Sequence, residues 1–121
     1  MANPNIVAVT SIYGKSVQAA LTTTLTTEIL ACASDKLQKI TSILVANIDG
    51  SSAVDISVFI TKSGGSPIAI ASTISVPADS TLVVIDKNST INLQEGDNIE
   101  AGAGANSDAV ITINYDELDD A

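Results

Sequence analysis

Short β-branched runs, broken at intervals of roughly ten residues by turn chemistry, fill this chain from end to end, and that rhythm admits few folds. The stretch from Val76 to Glu100 shows it best. Pro77 cannot donate to a sheet ladder and marks a strand border, after which Thr81-Leu82-Val83-Val84-Ile85 is a β-branched apolar strand. Asp86-Lys87-Asn88-Ser89 supplies short polar side chains that bond back to their own backbone, and Ile91-Asn92-Leu93-Gln94 then alternates apolar with polar. Glu95-Gly96-Asp97-Asn98 closes a second turn, with Gly96 free to take positive φ, and a strand resumes at Ile99. The expectation is a small β-meander of three strands.

The rest of the chain follows the same pattern. Residues 1–5 read as an extended arm, because Pro4 fixes φ and Asn3 and Asn5 favour irregular backbone. Ile6 to Ile12 reads as a first strand ended by Gly14, and Val17, Ala19, Leu21 and Leu25 then alternate with a Thr-rich polar face. Between Glu28 and Ile40 the apolar spacing also fits a helical stripe, but the Thr run before it is poor helix material, so strand, turn, strand is expected, with the turn at Ala33-Ser34-Asp35-Lys36. Lys39 to Ile48 is the most hydrophobic long strand and ends in an Asp49-Gly50 turn. Val54, Ile56, Val58 and Ile60 alternate with Asp55, Ser57, Phe59 and Thr61; Lys62 to Pro67 is a turn; Ile68, Ile70, Ile74 and Val76 line one side of the next strand. Gly102 to Ser107 reads as a loop, Ala109 to Tyr115 as a last strand with Ile111, Ile113 and Tyr115 on one face, and residues 117–121 as an acidic C-terminal tail.

These strands and turns indicate an all-β, single-domain β-sandwich or jelly-roll of about eight antiparallel strands, spanning residues 6–116. Several strands are apolar on both faces: Ile43 and Val45 oppose Leu44 and Ala46, Leu82 and Val84 oppose Val83 and Ile85, and Phe59 opposes Val58 and Ile60. One face of each sheet in a two-layer sandwich meets solvent, so these outward residues need cover from a loop, from the arm or from another copy of the chain. Asn3, Pro4, Asn5, Phe59, Val83 and Ile85 are accordingly the candidate contacts with a neighbouring subunit or a shell.

Chemistry is scarce. The chain has no His and no Arg, so no Ser-His-Asp or Cys-His nucleophile and no Arg clamp for phosphate can form. The nearest approach to a nucleophile elbow, Gly64-Gly65-Ser66-Pro67-Ile68, has Ile where the last Gly is required. Asp86, Glu95, Asp97 and Glu100 are near in sequence, but their spacing does not match a calcium loop, and solvated turn acids are the expectation. Cys32 stands alone, which rules out an intrachain disulfide and reads as a small buried hydrophobe. Fourteen acids against five lysines give a net charge of −9, which repels nucleic acid and anionic membranes. Neither a signal-peptide pattern nor an apolar run of ~20 residues is present, so synthesis in a cytoplasm is expected. No catalytic residue, metal site or cofactor is expected.

The run Val76 to Ile99, with its V-P-A-D-S-T-L-V-V-I-D-K strand and its L-Q-E-G-D turn, resembles small virion structural proteins of tailed bacteriophages. Val45-Ala46-Asn47-Ile48 and the Asn114-Tyr115-Asp116-Glu117 ending add to the likeness, the latter with a modest departure from an S-Y-E-E pattern. The resemblance implies a β-sandwich that sits on the virion as a head decoration or cement protein, with itself (a trimer) and the major capsid protein as partners and no enzymatic activity. A tail- or neck-associated jelly-roll that binds a receptor or carbohydrate is the other reading, and it would need aromatic platforms that a chain with 2% aromatics barely supplies.

Overall fold

A computed structural model describes Val7, Ala8 and residues 10–119. Among these residues lie nine strands: β1 (Ser11–Ala20), β2 (Thr27–Ala31), β3 (Lys36–Asn47), β4 (Val54–Thr61), β5 (Ile68–Val76), β6 (Thr81–Ile85), β7 (Ile91–Leu93), β8 (Asn98–Ala103) and β9 (Ala109–Asp119). One sheet runs β1-β9-β3-β6, with β7 also on β3, and the other runs β2-β8-β4-β5, all pairings antiparallel. β6 covers Ile43–Ala46 and β7 covers Gln38–Ile40 of the same strand, so the two act as one interrupted partner. The first half of the chain thus pairs with the second as a long hairpin, β1 to β9, β2 to β8, β3 to β6 and β7, β4 to β5, wound into two layers. That is a jelly-roll sandwich.

Alternation sets the core. On β9, Ala109, Ile111, Ile113 and Tyr115 are buried while Val110, Thr112, Asn114 and Asp116 are half-buried on the outer side. Facing them from the other sheet are Ile56, Val58, Ile99 and Ala101, all fully buried. The turn expected at residues 33–36 is there, and residues 28–40 form strand, turn, strand. The turns at Asp86–Ser89 and at Gly96 are also there, Gly96 with φ 86°.

Five expectations are corrected. The meander is not formed: β6 and β7 stay on β3, whereas β8 crosses to the other sheet, because its apolar residues Ile99 and Ala101 complete the layer between β2 and β4. The first strand begins at Ser11, leaving Val7 and Ala8 outside any strand, and runs through Gly14, which pairs in register with Asp116. It stops at Ala20, where Leu21 turns inward and donates its N–H to Ala109 O at 2.8 Å. On β5, bulges with Thr73 at φ 51° break the alternation, so Ala71 enters the core and the Thr73 N–H donates to the Ser57 hydroxyl at 2.9 Å. Gly102 is inside β8 and buried rather than in a loop. The acidic tail is not a solvated end as far as Asp119: β9 continues through Glu117 and Leu118, both buried.

The Asp49-Gly50 turn ends β3 as expected but carries the chain between sheets. Asn47 explains this. Buried at the strand end, its amide donates to Ser52 O at 3.0 Å and Val76 O at 2.9 Å, and its oxygen accepts from the Asp49 N–H at 2.9 Å, tying the crossing loop to the opposite layer.

Candidate functional site

The register places the outward side chains of the β1-β9-β3-β6 sheet in rows across the strands. Val83, Leu44, Thr112 and Gln18 form one row, Thr81, Ala46, Val110 and Ala20 the next, and Ser42, Asn114 and Ser16 a third. Gln18 Nε2 donates to Thr112 Oγ1 at 3.4 Å and Asn114 Nδ2 to Ser42 Oγ at 2.8 Å, which confirms that these residues share a face. None of the eleven is charged, in a chain of net charge −9. Beyond them come one row of mixed sign, Asn92, Lys39, Asp116 and Gly14, and an apolar row, Leu37, Leu118 and Ile12. Shallow depressions of about 380 and 290 Å³ flank Asp116, the first floored by Gly14, Ser16 and Asn114 and the second by Ile12, Leu37 and Leu118.

The outer face of the other sheet differs. Phe59 lies on it half-buried, paired across β8 with Glu100, which is itself opposite Glu28 on β2. Like charges at facing positions repel, so a second acidic copy is disfavoured there. At the rim of this sheet β5 is an edge strand, and it exposes Ile68 (67%), Ile70 (36%) and Ile74 (38%). Ile68 and Ile74 pair with Ile60 and Ile56 and so point toward the sandwich interior, but β6 covers only part of the longer β5.

Of the candidate contacts, Val83 is 54% exposed on the uncharged face and Phe59 sits beside Glu100. Asn3, Pro4 and Asn5 lie outside the described residues. Ile85 is corrected: it pairs with Ile43 and belongs to the core, because a bulge between the Ile43 and Leu44 pairings puts Val83 and Ile85 on opposite faces despite their even spacing. The Ile68, Ile70 and Ile74 rim was not among the sequence candidates. Its signal was the uncharged run from Ser63 to Ala78, read as a turn followed by a strand with Ile68, Ile70, Ile74 and Val76 along one side.

The acids that could have formed a site serve the fold. Asp97, 2% exposed, pairs with Lys62 Nζ and accepts the N–H groups of Ser63 at 3.0 Å and Gln94 at 2.8 Å, joining the β4–β5 and β7–β8 turns. Burial works to raise its carboxyl, but the bonds from Lys62, Gln94 and Ser63 prevail and hold it below its ordinary 3.8. Glu95 accepts the Asp35 N–H at 2.9 Å and Glu100 the Thr61 hydroxyl at 2.7 Å. Glu117 bonds Lys15 at 2.6 Å and Gln38 at 3.2 Å; burial opposes its charge, yet these bonds hold it below 4.5. Among the described residues no three His, Cys, Asp or Glu side chains converge to hold a metal ion. Burial pushes the Cys32 thiol up to about 11. Among the described residues no helix is long and apolar enough to cross a membrane.

No protein-family profile matches the sequence, and no characterised protein sequence matches it. Among solved structures, the chain is similar to one from Bacillus endospore appendages described as disulfide-linked pili, with a TM-score of 0.55 and 12% identity over 92% of this chain and 88% of that one. It is also similar to a pentameric capsid protein from metagenomic phage sequences (TM-score 0.40, 16% identity, 86% of this chain and 62% of that one). A third likeness is to the VP2 subviral particle of infectious bursal disease virus (TM-score 0.35, 12% identity, 92% of this chain and 38% of that one). The appendage chain shares the fold; 12% identity carries no function with it, and the two capsid likenesses, with TM-scores below 0.5, carry no argument. Disulfide linkage of copies into a polymer is closed to these 121 residues, since each linked copy needs two cysteines and Cys32 stands alone and buried.

Proposed function

We propose that the chain is a virion structural protein, a capsid decoration or cement subunit that assembles as a homo-oligomer, a trimer by its sequence resemblance, against the major capsid protein of a phage head. The observation that carries this reading is the uncharged outer face of the β1-β9-β3-β6 sheet. Copies with a net charge of −9 repel one another at long range, and an encounter succeeds only where no charge must be stripped of water. That face offers Val83, Leu44, Ala46 and Val110 side by side, and burying such side chains stabilises contact by about 25 cal/mol per Å². The role is mechanical rather than catalytic, in keeping with acids committed to Lys62, Lys15 and backbone N–H groups.

The test pairs light scattering across a range of protein concentrations with co-sedimentation on phage heads that lack the protein. A discrete oligomer and saturable binding to heads are expected. A monomer at every concentration, with no binding to heads, overturns the proposal.

A further inference from the structure

Two uncharged surfaces on one subunit face different directions: the outer face of the β1-β9-β3-β6 sheet, and the β5 rim with Ile68, Ile70 and Ile74 exposed. β5 and β6 lie at the same edge of the sandwich, so the surface turns a corner between rim and face. One flat partner cannot cover both sides of that corner, but two neighbours can. We infer that the β5 rim of one copy packs on the uncharged sheet face of the next, a head-to-tail contact that closes into a ring.

The occupant follows from charge. The segment Ser63–Ala78, which contains β5, has no acid and no lysine, and neither do the three outward rows it would meet. The acidic face that carries Glu28 and Glu100 is excluded from contact by the same reasoning. Size supports ring closure over an isolated pair. Three rows spaced roughly 7 Å apart, across four strands roughly 4.8 Å apart, give a platform near 400 Å², about half the ~800 Å² per partner of a standard stable interface. A closed ring gives every copy two such contacts, one by its rim and one by its face, and so reaches the standard area. This inference rests on the homo-oligomer reading above and names the surfaces that make it.

Two variants test it by mixing. Ile68→Lys/Ile74→Lys blocks the rim, and Val83→Lys/Thr112→Lys blocks the face; the substitutions lie at exposed or half-buried positions and lower the net negative charge, so general repulsion cannot account for lost assembly. Circular dichroism checks that each folds. Each alone is expected to sediment as a monomer where the wild type is oligomeric. Mixed in equal amounts well above that concentration, they should give a 1:1 species of twice the 12.3 kDa subunit mass, joined by the intact rim of one and the intact face of the other. A rim variant that assembles like wild type, or a mixture that stays monomeric, overturns the rim-to-face contact while leaving the oligomer reading intact. A wild-type chain that is itself monomeric overturns both.

Discussion

Replacing Gly102 with alanine tests whether the loop after β1 is clamped on β8. A Cβ at this position would stand 2.7 Å from Thr24 O and 2.9 Å from Leu25 N, with Leu25 Cα nearer still. Carbon contacts want roughly 3.5–4.0 Å, and the atoms in the way are backbone, which cannot swing aside as a side-chain tip can. Loop or strand must therefore move by about 1 Å, an overpacking cost of about 2 kcal/mol. The movement also strains the bond from the Ala103 N–H to Thr22 O, 2.8 Å long, and one such bond contributes about 1 kcal/mol. Against this, alanine restricts the unfolded chain and stabilises by about 0.7 kcal/mol. The net loss is about 2 kcal/mol, and for 121 residues at about 4 °C per kcal/mol the melting temperature should fall by about 8 °C. Differential scanning calorimetry at one fixed protein concentration measures it, since assembly would otherwise shift the midpoint. Gly104→Ala is the control, because its Cβ would meet Asp55 at no less than 3.7 Å. A Gly102→Ala protein melting at or above wild type, or a Gly104→Ala protein falling as far, refutes the clamp.

Acid sensitivity follows from Asp97 and Glu117, whose folded carboxyls lie below their ordinary values of 3.8 and 4.5. Groups depressed on folding contribute stability that is complete above the unfolded value and is lost as pH falls through the folded one. The urea midpoint should therefore hold level from neutral pH to about pH 5 and drop below about pH 4, and Asp97→Asn should flatten part of that drop. Parallel curves for the two proteins would show that Asp97 is not a source of it. Asp97→Asn should also lower the unfolding free energy at neutral pH by about 1–3 kcal/mol, and the urea midpoint with it, because the Lys62 ammonium and the Ser63 and Gln94 N–H groups share one remaining acceptor oxygen. Equal midpoints at pH 7 would remove it as the joint between the two turns. Cys32, buried and with its thiol at about 11, should react with a thiol-exchange reagent at about pH 8 only as fast as the chain unfolds; rapid stoichiometric labelling of the native protein would contradict its placement.

Local pattern settled much of this protein. Period-two alternation with β-branched residues requires strands, and turn chemistry divides them. Those properties depend on residues within a few positions of each other, and so the all-β sandwich, the strand-turn-strand of residues 28–40 and the outward Val83 were legible. Pairing across the chain was not. Whether β8 stays with β7 or crosses to the other sheet, and whether Glu117 ends in solvent or between Lys15 and Gln38, depends on partners roughly forty to a hundred residues distant. The bulge that sends Ile85 inward does not disturb the alternation of the letters, since it exists only in the register between β3 and β6. The tertiary structure alone also decided that eleven uncharged outward residues from four strands form one continuous surface.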